Sequence, residues 1–188
     1  MTANTATDTG AAEPSSAPTT TDAATRRERK TAMRSALVLP AIFVMAWIFA
    51  LSGTEAPGAI TGEATAISYL RWILYFAGFV FVFSSVMHSV FAKRMAASIG
   101  WQTNGFEREL AAVSLGLGLA CFYAVYNHMS AMVTVSIPII TFLFLAGVNH
   151  VVDMVRRQNY APNNTLILIW DFGVSISLLA LLLAIGQF

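Results

Sequence analysis

The sequence predicts an all-α fold, a polytopic transmembrane helical bundle of five spans with the N-terminus in the cytoplasm and the C-terminus outside. Two observations carry this. Hydrophobic residues make up 56% of the 188 and charged ones only 11%, against roughly 25% charged in an ordinary soluble domain. The few Lys and Arg residues, moreover, fall in alternate connections between apolar runs. The first 34 residues hold five of the 11 Lys+Arg and four of the 10 Asp+Glu, which leaves six of each sign for everything that follows. A segment so poor in charge is solvated by lipid. The single Cys excludes a disulfide framework, and a net charge of +1 gives no electrostatic footprint for nucleic acid.

Taken in order, residues 1–25 are Thr, Ala, Ser, Pro, Asp and Gly with almost nothing apolar to bury, so they read as a disordered tail. Arg26, Arg27, Arg29, Lys30 and Arg34 close that tail at residue 34 and anchor the first helix end to an anionic leaflet. The transmembrane domain is residues 35–188. Crossing an apolar core of about 30 Å takes about 20 helical residues, and five stretches serve: 35–52, 67–92, 110–126, 131–154 and 166–188. A cleaved signal peptide is the competing reading of the first; the length of the run and of the preceding tail favour a retained span. The third is short and must extend into its flanks or sit in a thinned bilayer. Four residues, 127–130, join it to the fourth, which predicts a tight antiparallel hairpin. Basic residues occupy the N-terminal flank, the second-to-third connection (Lys93, Arg94, Arg108) and the fourth-to-fifth (Arg156, Arg157), and none occupies the other two connections. That alternation sets the orientation. Trp47, Trp72 and Trp101 are expected as interfacial anchors, and Arg71, alone near the outer end of the second span, as a snorkelling side chain.

Polar groups inside a bilayer are expensive, about 2.5–3.5 kcal/mol for Asp, Lys or Arg at a helix centre on insertion scales, so their placement is the best functional signal. The second span ends inward with Ser84, Ser85 and His88 on one face, and the fourth with Asn149, His150 and Asp153 within an arc of about 100°. The third begins at Glu109, and Ala112, Gly116, Ala120, Tyr123 and Asn127 return to its face, a small-residue stripe suited to close helix approach. In the fifth, Asp171 shares a face with Ser175. His88, Glu109, Asn149, His150, Asp153 and Asp171 are therefore expected in the cytoplasmic third of the bundle as a polar pocket, with the first span peripheral.

Three readings of that pocket follow. The polar groups satisfy one another and only fix bundle geometry, as in a structural membrane subunit. Alternatively they form a proton or ion pathway in which Asp171 and His150 exchange a proton, with Glu109 and Asp153 at the mouth. Or His150 and Asp153, at the i, i+3 spacing, join His88 and Asp171 around a divalent metal such as zinc, iron or manganese. Cys121 lies mid-span among apolar neighbours as a packing residue. There is no Walker loop, G-x-S-x-G or H-E-x-x-H, which points away from an enzyme. Five spans enclose a pocket but hardly a wide pore, so a homo-oligomer or larger membrane complex is the expected setting.

Ser98-Ile99-Gly100-Trp101, the Phe106 to Glu109 segment and Gly147 to His150 resemble a family of small uncharacterised bacterial integral membrane proteins, over about residues 84–155. The resemblance implies a multi-pass membrane protein with a domain of unknown function, so no catalytic role carries over from it; it singles out Glu109 and His150, and the bacterial inner membrane is the expected location. Between these motifs, Ile99, Trp101 and Phe106 are expected to enter the interface while Lys93, Arg94 and Arg108 meet lipid phosphates, so that the connection caps the polar cluster.

Overall fold

The computed structural model describes Arg27 and residues 30–187. The expected disordered tail, with Arg26 and Arg29, lies outside the described residues. The helices are α1 (Lys30–Leu51), α2 (Thr65–Val90), α3 (Ala92–Ser98), α4 (Phe106–Val125), α5 (Met129–Arg157) and α6 (Pro162–Ala184). All but the short α3 are long and apolar enough to cross a membrane, so the chain is an all-helical, multi-pass membrane protein.

The helices run past the ends of the apolar stretches. α1 already includes Lys30 to Arg34, ahead of the apolar run. The short third span extends into its polar flank: α4 runs 20 residues, about 30 Å by the helical rise, which needs no thinned bilayer. Asn104 Oδ1 accepts the Phe106 N–H at 2.9 Å and Glu107 Oε2 accepts the Asn104 N–H at 3.1 Å. These bonds, with Glu107 and Glu109 in the first turn, favour the helix N-terminus. α6 begins at Pro162, where the missing N–H has no intrahelical partner to lose.

The five long helices close into a ring. α1 packs on α2 and α6, α6 on α5, α5 on α4 and α4 on α2, with α2 also touching α6 across the middle. The peripheral position expected for the first span holds, since α1 meets only α2 and α6 to any extent. The third and fourth spans are joined by a short turn, yet the main partner of α4 is α2. A groove of about 400 Å³, lined by Leu117, Ala120, Tyr123 and Pro138 among others, separates α4 from α5 near that turn.

The buried face of α4 is opposite to the expected one. Ala111, Ser114, Gly118, Cys121, Ala124 and Val125 are buried, whereas Glu109, Ala112, Gly116 and Tyr123 are exposed. Gly116 and Gly118 are two residues apart, about 200° around the helix, so only one of them can face α2. A Cβ on Gly118 would lie 2.9 Å from the Gly78 carbonyl oxygen and 3.0 Å from the Val82 nitrogen, while one on Gly116 meets nothing within 4 Å. Backbone atoms cannot yield as a side chain does. Gly118→Val is therefore expected to destabilise the protein by about 1–3 kcal/mol, the usual range for overpacking, and Gly116→Val to leave its unfolding midpoint in detergent unchanged; equal midpoints would contradict this packing.

Arg71 does not snorkel. It is 3% exposed, its Nε and Nη2 reach Glu63 at 2.7–2.9 Å, and its Nη1 donates to the Val125 carbonyl at the end of α4. The sequence treats Arg71 as solitary because Glu63 lies before the helix, in the loop, and not on a shared helical face. The result is a buried ion pair that joins the 52–64 loop, α2 and α4 at the end of the bundle away from the basic connections.

Most of the remaining buried polarity lies toward the other end. Around Leu70, Ile73, Leu74, Cys121, Val125, Met132, Ile139, Leu178 and Leu182, all at most 1% exposed, the core is apolar. Ser136, at the same level, spends its hydroxyl on the Met132 carbonyl. Ser85, Ser114, His150, Asp153, Asn164 and Asp171 are the buried polar side chains toward the basic end.

Candidate functional site

Two glycines and an asparagine pair bring the site together. On α5, Gly147 is packed so closely on α6 that a Cβ would lie 2.9 Å from the Phe172 ring. One turn further along α5 is His150, and next to Phe172 is Asp171. Close approach at Gly147 thus sets the separation of the two ionisable groups: His150 Nε2 stands 4.0 Å from Asp171 Oδ2. Both residues are buried, at 7% and 2% exposed. Asp171 Oδ2 has no hydrogen-bond partner among the described residues, and 4.0 Å is beyond hydrogen-bond length. The terminal torsion of an aspartate is broad, so the carboxyl oxygens can turn relative to Nε2 without leaving a rotamer well.

The opposite side of the imidazole is held firmly. His150 Nδ1 is 2.7 Å from Asn164 Oδ1, and the same amide donates through Nδ2 to the Asn159 carbonyl at 2.9 Å. Because the amide NH₂ is committed to Asn159, its oxygen faces His150 and must accept. The ring proton therefore sits on Nδ1, and in the neutral ring Nε2 presents a lone pair toward Asp171. Asn164, fully buried, is the residue that sequence reasoning missed. A signal was there: Pro162 marks the helix start, which puts Asn164 inside α6, seven residues and about two turns before Asp171 on the same face.

Trp101 closes the site from the basic end. Its ring stacks on His150 at 5.3 Å between centroids and 18° between planes, and its Nε1 donates to Asp153 Oδ2 at 2.9 Å. It is half-buried against protein, more than the interfacial anchor expected of it. The approach depends on Gly100, whose φ of +78° suits glycine and against which the Asn159 amide packs. Asn159 Nδ2 donates to the Ile99 carbonyl at 2.7 Å and to Asp153 Oδ2 at 2.6 Å, and Asn163 Nδ2 donates to the Ser98 carbonyl at 3.3 Å. The Ser98 to Trp101 element and the Gly147 to His150 element, separate in sequence, thus meet across the α5–α6 turn. The connection does cap the polar cluster.

Of the six candidate residues, His150, Asp153 and Asp171 are gathered. Asn149 is exposed and lines a cleft of about 290 Å³ with Trp101, Val152, Asp153, Arg156 and Arg157. Glu109 is exposed on the outward face of α4. His88 is half-buried on α2, its Nδ1 without a hydrogen-bond partner among the described residues. No hydrogen bond or ion pair links either residue to the cluster. Asp153 is instead paired with Arg157, Oδ1 to Nε 3.5 Å. Among the described residues no group of three or more His, Cys, Asp or Glu is arranged to hold a metal ion; His88, His150, Asp153 and Asp171 do not converge as a ligand set. Chemically the arrangement offers a proton acceptor and a carboxyl group facing each other in a buried site, with a carboxylate, an indole and two guanidinium groups toward the surface.

No curated protein and no solved structure matches the chain. A family model matches residues 35–187, which span all five long helices and every residue of the site, and the chain therefore belongs to DUF6790, a family of unknown function.

Proposed function

We propose that this integral membrane protein is a small proton-linked transporter of the cytoplasmic membrane, with the basic end of the bundle facing the cytoplasm and His150 and Asp171 as the proton-binding pair. The observation that carries the reading is the facing of His150 Nε2 and Asp171 Oδ2, 4.0 Å apart in a buried site, with that carboxyl oxygen free of any hydrogen bond among the described residues. Asn164 fixes the tautomer so that the open nitrogen points at the acid. The positive-inside rule supports the orientation, because Lys93, Arg94, Arg108, Arg156 and Arg157 all lie at the end where the site is. The apolar core of the opposite half favours a carrier that changes conformation over an open channel, since the buried charges there among the described residues, Arg71 and Glu63, are spent on each other and offer no onward route.

Purified protein in liposomes loaded with a pH-sensitive dye is expected to dissipate an imposed proton gradient faster than empty liposomes. Asp171→Asn, nearly isosteric, is expected to reduce the rate to that of empty vesicles while unfolding no earlier than the parent. Equal rates for parent, variant and empty vesicles would remove the transport reading. One observation favours a second reading, a structural membrane subunit: Trp101 ties the α3–α4 connection to α5, Asn159 and Asn163 tie the α5–α6 turn and the start of α6 to the end of α3 and the residue after it, and Asn164 ties α6 to that turn. In that case Asp171→Asn changes no flux, and variants of these four residues change only stability or assembly in a homo-oligomer or larger complex.

A further inference from the structure

The cleft beside Trp101 has a chemistry of its own. Trp101, Asn149, Val152, Asp153, Arg156 and Arg157 line it, and it opens at the basic end of α5. Asp153 is more than nine-tenths buried. Its Oδ2 is occupied by the Trp101 and Asn159 donors, but Oδ1 is met only by Arg157 Nε at 3.5 Å, and the Arg157 side chain is 76% exposed. Arg156 makes no ion pair among the described residues. The cleft therefore presents two under-used guanidinium groups, whose planar forks match phosphate oxygens, beside one carboxylate oxygen with accepting capacity to spare.

An apolar track leads away from it. Leu145, Val148, Val152 and Val155 are exposed and fall within an arc of about 80° on α5, running from the cleft toward the middle of the span. A ligand that satisfies all of this carries a phosphate, a cationic group close to that phosphate, and long acyl chains.

We propose that the cleft seats the headgroup of a zwitterionic phospholipid with a primary amine, of the phosphatidylethanolamine class, with its phosphate on Arg156 and Arg157, its ammonium on Asp153 Oδ1 and an acyl chain along the Val148 to Val155 track. The carboxylate decides between headgroups: it attracts an ammonium, repels a second anion, and gives a quaternary amine no N–H to donate. Basic residues alone would select anionic lipid. This site does not depend on the proton-linked reading, and its test contains no flux measurement.

The full-length protein in detergent is mixed with equal amounts of phosphatidylethanolamine, phosphatidylglycerol and phosphatidylcholine, and retained lipid is counted by native mass spectrometry. Phosphatidylethanolamine is expected to be retained about tenfold over the other two, the preference expected of a charge-assisted hydrogen bond. Arg156→Gln combined with Arg157→Gln, both at exposed positions, is expected to abolish retention of all three. Asp153→Asn, which keeps an acceptor for Trp101, is expected to erase only the preference. Equal or tighter holding of phosphatidylglycerol by the parent, or retention unaffected by the arginine pair, overturns the proposal. Inorganic phosphate is added as a competitor; displacement of the lipid at millimolar phosphate would show an anion site that does not read lipid and would overturn it too.

Discussion

Arg71→Ala is expected to lower the stability of the folded protein by about 3–5 kcal/mol, the range for removing one partner of a buried ion pair. Glu63, whose side chain is 6% exposed, would remain as a carboxylate with no cation, and the Val125 carbonyl would lose its donor at the C-terminus of α4, where the helix dipole favours positive charge. Denaturant or thermal unfolding in detergent measures the loss. The sharper form is a double-mutant cycle. Glu63→Leu with Arg71→Met removes both charges and is expected to be more stable than Arg71→Ala alone, because the penalty lies mainly in the stranded partner and less in the missing attraction. If the single variant loses less than about 1 kcal/mol, a surface-like value, the pair does not bolt the 52–64 loop to α2 and α4.

That ion pair also marks where sequence reading stops. Hydropathy and the alternation of Lys and Arg identify all five spans, because each is a property of a continuous stretch. The ends are less visible. Hydropathy falls at the first amide or charge, so the third span is read as beginning at residue 110 and the fifth at 166. The hydrogen-bond ladder continues into the interface, to Phe106 and Pro162. Pairings across loops are less visible still: Arg71 and Glu63 are eight residues apart with a helix start between them, and no periodicity connects them.

The same limit explains α4. Ala112, Gly116 and Ala120 make a small-residue stripe, but Ala111, Ser114, Gly118 and Cys121 make another on the far side, and periodicity alone does not rank them. The partner decides. Gly118 fits against Gly78 and Val82, and choosing it turns Glu109 outward, away from the site. At the polar cluster the pairing of His150 with Asp171 was legible, because α5 ends and α6 begins at the basic end, which sets both residues near that end on antiparallel helices. Trp101 was visible only as an aromatic near the interface, since its role depends on the left-handed turn at Gly100 and on Asn159, which reaches the Ile99 carbonyl from sixty residues away along the chain.

Asn164→Ala is expected to have the second-largest effect on stability, about 2–4 kcal/mol. The single change leaves one buried group, His150 Nδ1, and one half-buried group, the Asn159 carbonyl, unpaired; a buried orphan costs about 1–3 kcal/mol, and the half-buried one adds less. Asn164→Asp separates the two contributions: its carboxylate still accepts from His150 Nδ1 but offers Asn159 no donor, so the imidazole stays oriented while the α5–α6 turn loosens. The tautomer supplies a readout that general loosening does not. With ¹⁵N-labelled histidine, His150 of the parent is expected to show the proton on Nδ1 when neutral; Asn164→Asp is expected to keep that signature, and Asn164→Ala to lose it for a mixture of the two tautomers. A parent carrying the proton on Nε2 would mean that the ring presents no lone pair to Asp171, and His150 could not accept a proton from it through that nitrogen. Loss of the Nδ1 signature only in Asn164→Ala would instead assign to one amide both jobs, holding α6 to the turn before it and aiming the open nitrogen of His150 at the buried acid.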